Sequence, residues 1–201
     1  MLANSNPLWN YPIWSIPTGL DAAFNQQILK DLASVGHELA HDAHPKDSLW
    51  DYPRPHLQKL RDILEELTNA VIKRDIPEIA DLNITVKCTM AWPNVRTYGQ
   101  EIELHAHPDA SFVATYYVKT PSDCGDLICY LQDGAPLAIT PMAGSVVILP
   151  SYILHRANPN HSHDYRVSIS TDFTAVLDKQ APNALVLKSW CDDMQKVQYA
   201  I

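Results

Sequence analysis

Two histidines stand two residues apart in Glu101-Ile102-Glu103-Leu104-His105-Ala106-His107-Pro108-Asp109, and a third, His155, closes Leu149-Pro150-Ser151-Tyr152-Ile153-Leu154-His155. Arg166-Val167-Ser168 follows His155 by eleven residues. Side chains alternate between the faces of an extended chain, so His105 and His107 can reach one metal. Asp109 joins that face if the strand runs on through Pro108. Imidazoles and a carboxylate on one side of an octahedron suit a non-haem Fe(II) ion that keeps its other positions open. Arg166 and Ser168 share a face of a second alternating segment. A guanidinium fork beside a hydroxyl fits a carboxylate, and an arginine buried without an anion is costly. Together these residues spell an iron centre that also holds a dicarboxylic co-substrate.

The elements that must carry these residues follow from periodicity. Ala23, Phe24, Ile28, Leu32, Val35 and Leu39 recur at helical spacing between about Leu20 and Ala40. Leu57, Leu60, Ile63, Leu64, Leu67 and Val71 do the same over 54–74, with Arg61, Asp62, Glu65 and Glu66 on the opposite face and Pro77 beyond the end. After residue 80 the period falls to two. Strands are expected over 84–92, 101–107, 112–118, 127–131, 145–149 and 166–173. Turn signals separate them at Thr97-Tyr98-Gly99, Pro121-Ser122-Asp123, Asp133-Gly134, Ala143-Gly144 and Asn158-Pro159-Asn160. Many short strands predict a sandwich or barrel. The expected architecture is one domain over 1–201, with a helical third over about 1–80 and a β core over about 81–201.

The stretch from Trp92 to Phe173 resembles the 2-oxoglutarate/Fe(II)-dependent oxygenase superfamily. The resemblance extends to a subfamily of largely uncharacterised bacterial and phage proteins. Three segments carry it: His105-Ala106-His107-Pro108 with Tyr116-Tyr117-Val118 after it, Gly144 to Ser151 leading to His155 and Pro159-Asn160, and Arg166-Val167-Ser168-Ile169-Ser170. It implies a mainly β fold with N-terminal helices, a double-stranded β-helix (jelly roll) flanked by helices. It also implies an oxidoreductase that uses Fe(II) and 2-oxoglutarate to hydroxylate its substrate, releasing succinate and carbon dioxide. His107 and His155 are then metal ligands, Arg166 binds 2-oxoglutarate, and Ser168 and Tyr117 touch the same co-substrate. The third ligand is Asp109 on the superfamily's usual His-x-Asp pattern, or His105 on a His-x-His pattern. The lead-in Gly99-Gln100 resembles that of prolyl hydroxylases and points to His105, whereas a carboxylate suits Fe(II) and favours Asp109. Val113-Ala114 departs from the Ser-Gly common in the subfamily.

Singly, these residues have ordinary explanations: a surface histidine, a solvated arginine, a core tyrosine. The reading rests on their combination. His37-Glu38-Leu39-Ala40-His41 competes, because it spells the His-Glu-x-x-His signature of zinc peptidases, with His44 as a third candidate ligand. Only 36 residues precede it, and Pro45 follows His44 at once. A polar helix face is therefore the expectation there. A non-enzymatic cupin-like binding module is the third alternative, and it has no need of three ligands beside a buried arginine.

Net charge of −8 disfavours nucleic acid and anionic membrane surfaces as partners. The segment Met1 to Ser15 has neither a basic start nor an apolar run, and no stretch is long enough to span a bilayer. A cytoplasmic protein is expected. Cys88, Cys124, Cys129 and Cys191 match no zinc module, and a Cys124–Cys129 disulfide stays open. Trp9, Trp14 and Trp50 could line a cleft but are expected in the core. The substrate, a small molecule or a protein side chain, is not legible, and a homodimer is compatible with the sequence.

Overall fold

The computed structural model describes residues 12–36, 48–76, 79, 84–131 and 134–177. Among the described residues two α-helices lie against one of two antiparallel sheets. The helices are α1 (Ala22–Val35) and α2 (Pro55–Asp75). Asp21 starts α1 by accepting a hydrogen bond from the Phe24 amide at 2.8 Å, and Gly36, at φ +67°, stops it. The helix thus ends at Val35, and Leu39, to which the periodicity extends, lies outside the described residues. Pro55 occupies the first turn of α2, where its missing N–H costs nothing, and Lys73 and Arg74 face the negative end of the helix dipole.

The strands are β1 (Trp14–Pro17), β2 (Ile84–Arg96), β3 (Ile102–His105), β4 (Phe112–Lys119), β5 (Leu127–Tyr130), β6 (Pro136–Ile139), β7 (Ser145–Pro150), β8 (His155–Ala157) and β9 (Arg166–Leu177). One sheet has the order β1-β7-β4-β9-β2, the other β3-β8-β5-β6. This is the mainly β jelly roll with flanking helices. The N-terminal third is less purely helical than its periodicity predicts, since β1 precedes α1 and pairs with β7.

Alternation divides the interior into two cores. Ala114 and Tyr116 on β4, Val146 and Ile148 on β7, and Val167 and Ile169 on β9 face the helices, where they meet Ile28, Leu32, Leu57, Leu60 and Leu64. Their neighbours Tyr117, Val147 and Leu149 face the second sheet and meet Leu127, Cys129 and Ile153. The even-numbered side chains of β9 therefore point between the sheets. Trp14 and Trp50 are core residues, as expected, and Trp9 lies outside the described residues. Cys88, Cys124 and Cys129 are free thiols, so no Cys124–Cys129 disulfide forms. The His37-Glu38-Leu39-Ala40-His41 motif, with His44, lies outside the described residues. Among the described residues no helix is long and apolar enough to cross a membrane.

One polar link ties β1 to α2. Trp14 Nε1 donates to Asp75 Oδ2 at 2.7 Å, and Arg74 Nη2 lies 2.6 Å from the same oxygen. Arg74 first, then Trp14, hold the Asp75 carboxyl down to about 2 from its ordinary 3.8. A carboxyl depressed on folding stabilises the fold above its unfolded pKa, and that contribution fades as pH falls toward about 2. Asp75→Asn is expected to lower the urea midpoint at pH 7, with the gap shrinking as pH falls to 2. A gap as large at pH 2 as at pH 7 refutes the link.

Candidate metal and co-substrate site

Three imidazoles converge between the sheets. His105 ends β3 and stands directly opposite His155, the first residue of β8. Their ring centroids are 4.3 Å apart, and His107 lies 5.0 Å from His105 and 5.3 Å from His155. One nitrogen from each of the three falls within 4.8 Å of the others. His107 and His155 are 4% and 5% exposed, so the cluster is closed on two sides.

The strand expected through His107 stops at His105, and this corrects the sequence reading. Proline has no amide to offer a ladder, and Pro108-Asp109 forms a turn in which the Ala110 amide reaches back to the His107 carbonyl at 3.2 Å. His107 keeps its place by other means: its amide donates to the Ser151 carbonyl at 2.9 Å, and Ser151 Oγ donates to the Ala110 carbonyl at 2.6 Å. The turn is thereby stitched to the corner after β7. Asp109 lines the same cavity but is not one of the three residues whose ligand atoms converge.

Two rings of the cluster have Nδ1 hydrogen-bonded to a backbone carbonyl, and the third has it beside a carboxylate. His105 Nδ1 lies 2.7 Å from the Glu103 carbonyl, His155 Nδ1 lies 2.8 Å from the Ile153 carbonyl, and His107 Nδ1 lies 2.9 Å from Asp172 Oδ1. The carbonyl acceptors at Nδ1 of His105 and His155 fix the proton there and leave the lone pair on Nε2 for a metal. Burial, with His105 and then His107 close by, pushes the His155 pKa down to about 3. His155 is therefore neutral across the physiological range.

The cavity of about 520 Å³ that holds the cluster continues to Arg166, with Tyr117, Ser168, Ser170, Thr115 and Asn94 along its walls. Arg166 is 2% exposed. Its Nη1 donates to the carbonyls of Cys124 at 2.7 Å and Gly125 at 3.0 Å, whereas Nη2 is buried with no partner. Gly125 is required here. It sits at φ +82°, and a Cβ would run into the backbone oxygens of Asn158 and Pro159. An orphaned guanidinium nitrogen inside a protein calls for an anion. Burial pushes the Tyr117 phenol up, against the opposing pull of Arg166, so Tyr117 stays a neutral donor. Ser170 Oγ accepts from Asn94 Nδ2 at 2.9 Å, which completes a polar wall between cluster and arginine. The residues present thus fit both a divalent metal, in three neutral nitrogen donors, and a carboxylate, in Arg166.

His105, His107, His155, Arg166, Ser168, Tyr117 and Asp109 all line this one cavity. Trp92, whose ring stacks on His107 at 5.6 Å, and Asn94 also line it, and sequence reasoning did not single them out. Nor did it find Asp172, although Asp172 follows Arg166, Ser168 and Ser170 in the same alternation.

No protein-family model matches the chain, and no curated protein matches it. Solved structures do, at low identity. A prolyl-4-hydroxylase from Pseudomonas putida is 16% identical, over 82% of this chain and 88% of that one, with a TM-score of 0.57. An oxidoreductase of the 2OG-Fe(II) oxygenase family from Burkholderia pseudomallei is 18% identical, over 81% and 84%, at 0.58. The viral collagen prolyl hydroxylase of Paramecium Bursaria Chlorella virus-1, in its 2OG complex, is 12% identical, over 83% and 97%, at 0.60. The chain shares their fold.

Proposed function

We propose that the protein is an Fe(II)- and 2-oxoglutarate-dependent oxygenase that hydroxylates its substrate. One observation carries the reading: Arg166 Nη2 is buried without a partner in the same cavity as three converging imidazoles. A metal-only site has no use for that arginine, and an anion-only site has no use for the cluster. The fold shared with proteins named 2OG-Fe(II) oxygenase and prolyl hydroxylase supports the same conclusion.

In this reading His105, His107 and His155 hold Fe(II). The ion, when bound, supplies the redox chemistry that couples decarboxylation of 2-oxoglutarate to oxygen insertion. The chain supplies position. Arg166 takes the far carboxylate of 2-oxoglutarate with Nη2, while its other arm stays on the Cys124 and Gly125 carbonyls. The hydroxyls of Ser168 and Tyr117 serve the same carboxylate. Val147 and Leu149, packed on Leu127, keep water from the walls. The substrate is a small molecule or a protein side chain. A cytoplasmic setting fits the three free thiols.

The test is succinate release. Protein supplied anaerobically with Fe(II) and ascorbate, then given 2-oxoglutarate and air, is expected to form succinate slowly alone and faster with cell extract that contains the substrate. His155→Ala abolishes both rates. No succinate with any extract, together with no 2-oxoglutarate binding to metal-loaded protein, overturns the proposal.

A further inference from the structure

His107 differs from the other two imidazoles in what braces it. His105 and His155 present Nδ1 to backbone carbonyls, which are neutral acceptors. His107 presents it to a carboxylate, Asp172 Oδ1, at 2.9 Å. The approach is bent and not a straight hydrogen bond, and the two side chains are 4% and 13% exposed. No lysine or arginine among the described residues pairs with Asp172. Asp172 does not line the cavity and does not belong to the converging set, so it stands behind His107.

A buried carboxylate is costly unless a hydrogen bond or positive charge lies close by. The geometry supplies the place for that charge. Three imidazoles give a divalent ion no negative ligand, and Asp172 touches the cluster through the far nitrogen of one of them. We infer that Asp172 is a positioning residue of the metal centre. It fixes His107 as the Nδ1–H tautomer and delivers through that ring the negative charge that the three-histidine set lacks. This inference rests on the iron-site reading above. An acceptor at Nδ1 raises the donor strength of Nε2, and loss of such a partner ordinarily lowers metal affinity about 10- to 100-fold.

The experiment is an anaerobic titration of metal-free protein with Co(II), followed through its visible absorption. The unaltered chain is expected to take one Co(II). Asp172→Asn should bind about 10- to 100-fold more weakly, with unchanged far-ultraviolet circular dichroism, and Asp172→Glu should recover part of the loss. The Fe(III)/Fe(II) midpoint potential should rise in Asp172→Asn, because the oxidised ion loses a nearby anion; a merely structural role would not move it in that direction. Long-range 1H–15N spectra of the unaltered, metal-free protein should report His107 as the Nδ1–H tautomer, a readout independent of whether any variant folds. Co(II) affinity within twofold of the unaltered chain and an unmoved potential in Asp172→Asn overturn the inference, as does an Nε2–H tautomer at His107. Failure of the unaltered chain to take Co(II) overturns the iron-site reading itself, and this inference with it.

Discussion

Arg166→Ala is expected to weaken 2-oxoglutarate binding on the order of 10²-fold while leaving metal uptake unchanged. The separation follows from placement. Arg166 opens β9 and lines the cavity, held by the Cys124 and Gly125 carbonyls and not by any of the three histidines. Truncating one partner of a buried charged pair costs about 2–5 kcal/mol, and about 3 kcal/mol corresponds to roughly 10²-fold in Kd. Arg166→Lys should recover little, because an ammonium cannot hold two carbonyls with one arm and a carboxylate with the other. Anaerobic calorimetry of Co(II)-loaded protein with 2-oxoglutarate reads the affinity, and Co(II) titration reads the metal. Parallel loss of both quantities would point to a damaged fold. Unchanged 2-oxoglutarate affinity would remove Arg166 from the co-substrate site.

The part of this design that sequence shows best is the part built on strict alternation. Arg166, Ser168 and Ser170 are assigned to one face of a strand and Val167 and Ile169 to the other, and β9 arranges them so, with the even residues in the cavity and the odd ones under the helices. The same rule, carried one step further, reaches Asp172. It was missed because an aspartate near a strand end has no motif around it, and only the three-dimensional position of His107 gives it a partner. β1, β6 and β8 were also invisible. They have four, four and three residues, β1 ends at a proline and β6 begins with one, and a period of two needs more length than that to declare itself. The apolar spacing of α1 runs on to Leu39, but Gly36, at φ +67°, caps the helix after Val35 through backbone conformation. In each case a short-range pattern was overruled by a turn residue or completed by a contact distant in sequence.

The same contest bears on the third ligand, and it gives the largest expected effect after that of Arg166. His105→Ala should lower Co(II) affinity on the order of 10²-fold, whereas Asp109→Ala should change it less than about threefold. Structural zinc sites bind with about 10–16 kcal/mol across four ligands, so one ligand is worth roughly 3 kcal/mol. A strand continued through Pro108 would have brought Asp109 round to the face of His107. Pro108 instead turns the chain, and the converging set becomes His105, His107 and His155. The cross-strand pairing of His105 with His155 makes that set rigid, since two of its members are fixed by one register. Removing His105 should therefore weaken metal and 2-oxoglutarate binding together, in contrast to Arg166→Ala, which touches only the latter. Anaerobic Co(II) titration of the two single variants and the double variant settles the assignment. If Asp109→Ala loses the metal and His105→Ala keeps it, the turn at Pro108 must rearrange on metal binding, and the three-histidine assignment is wrong.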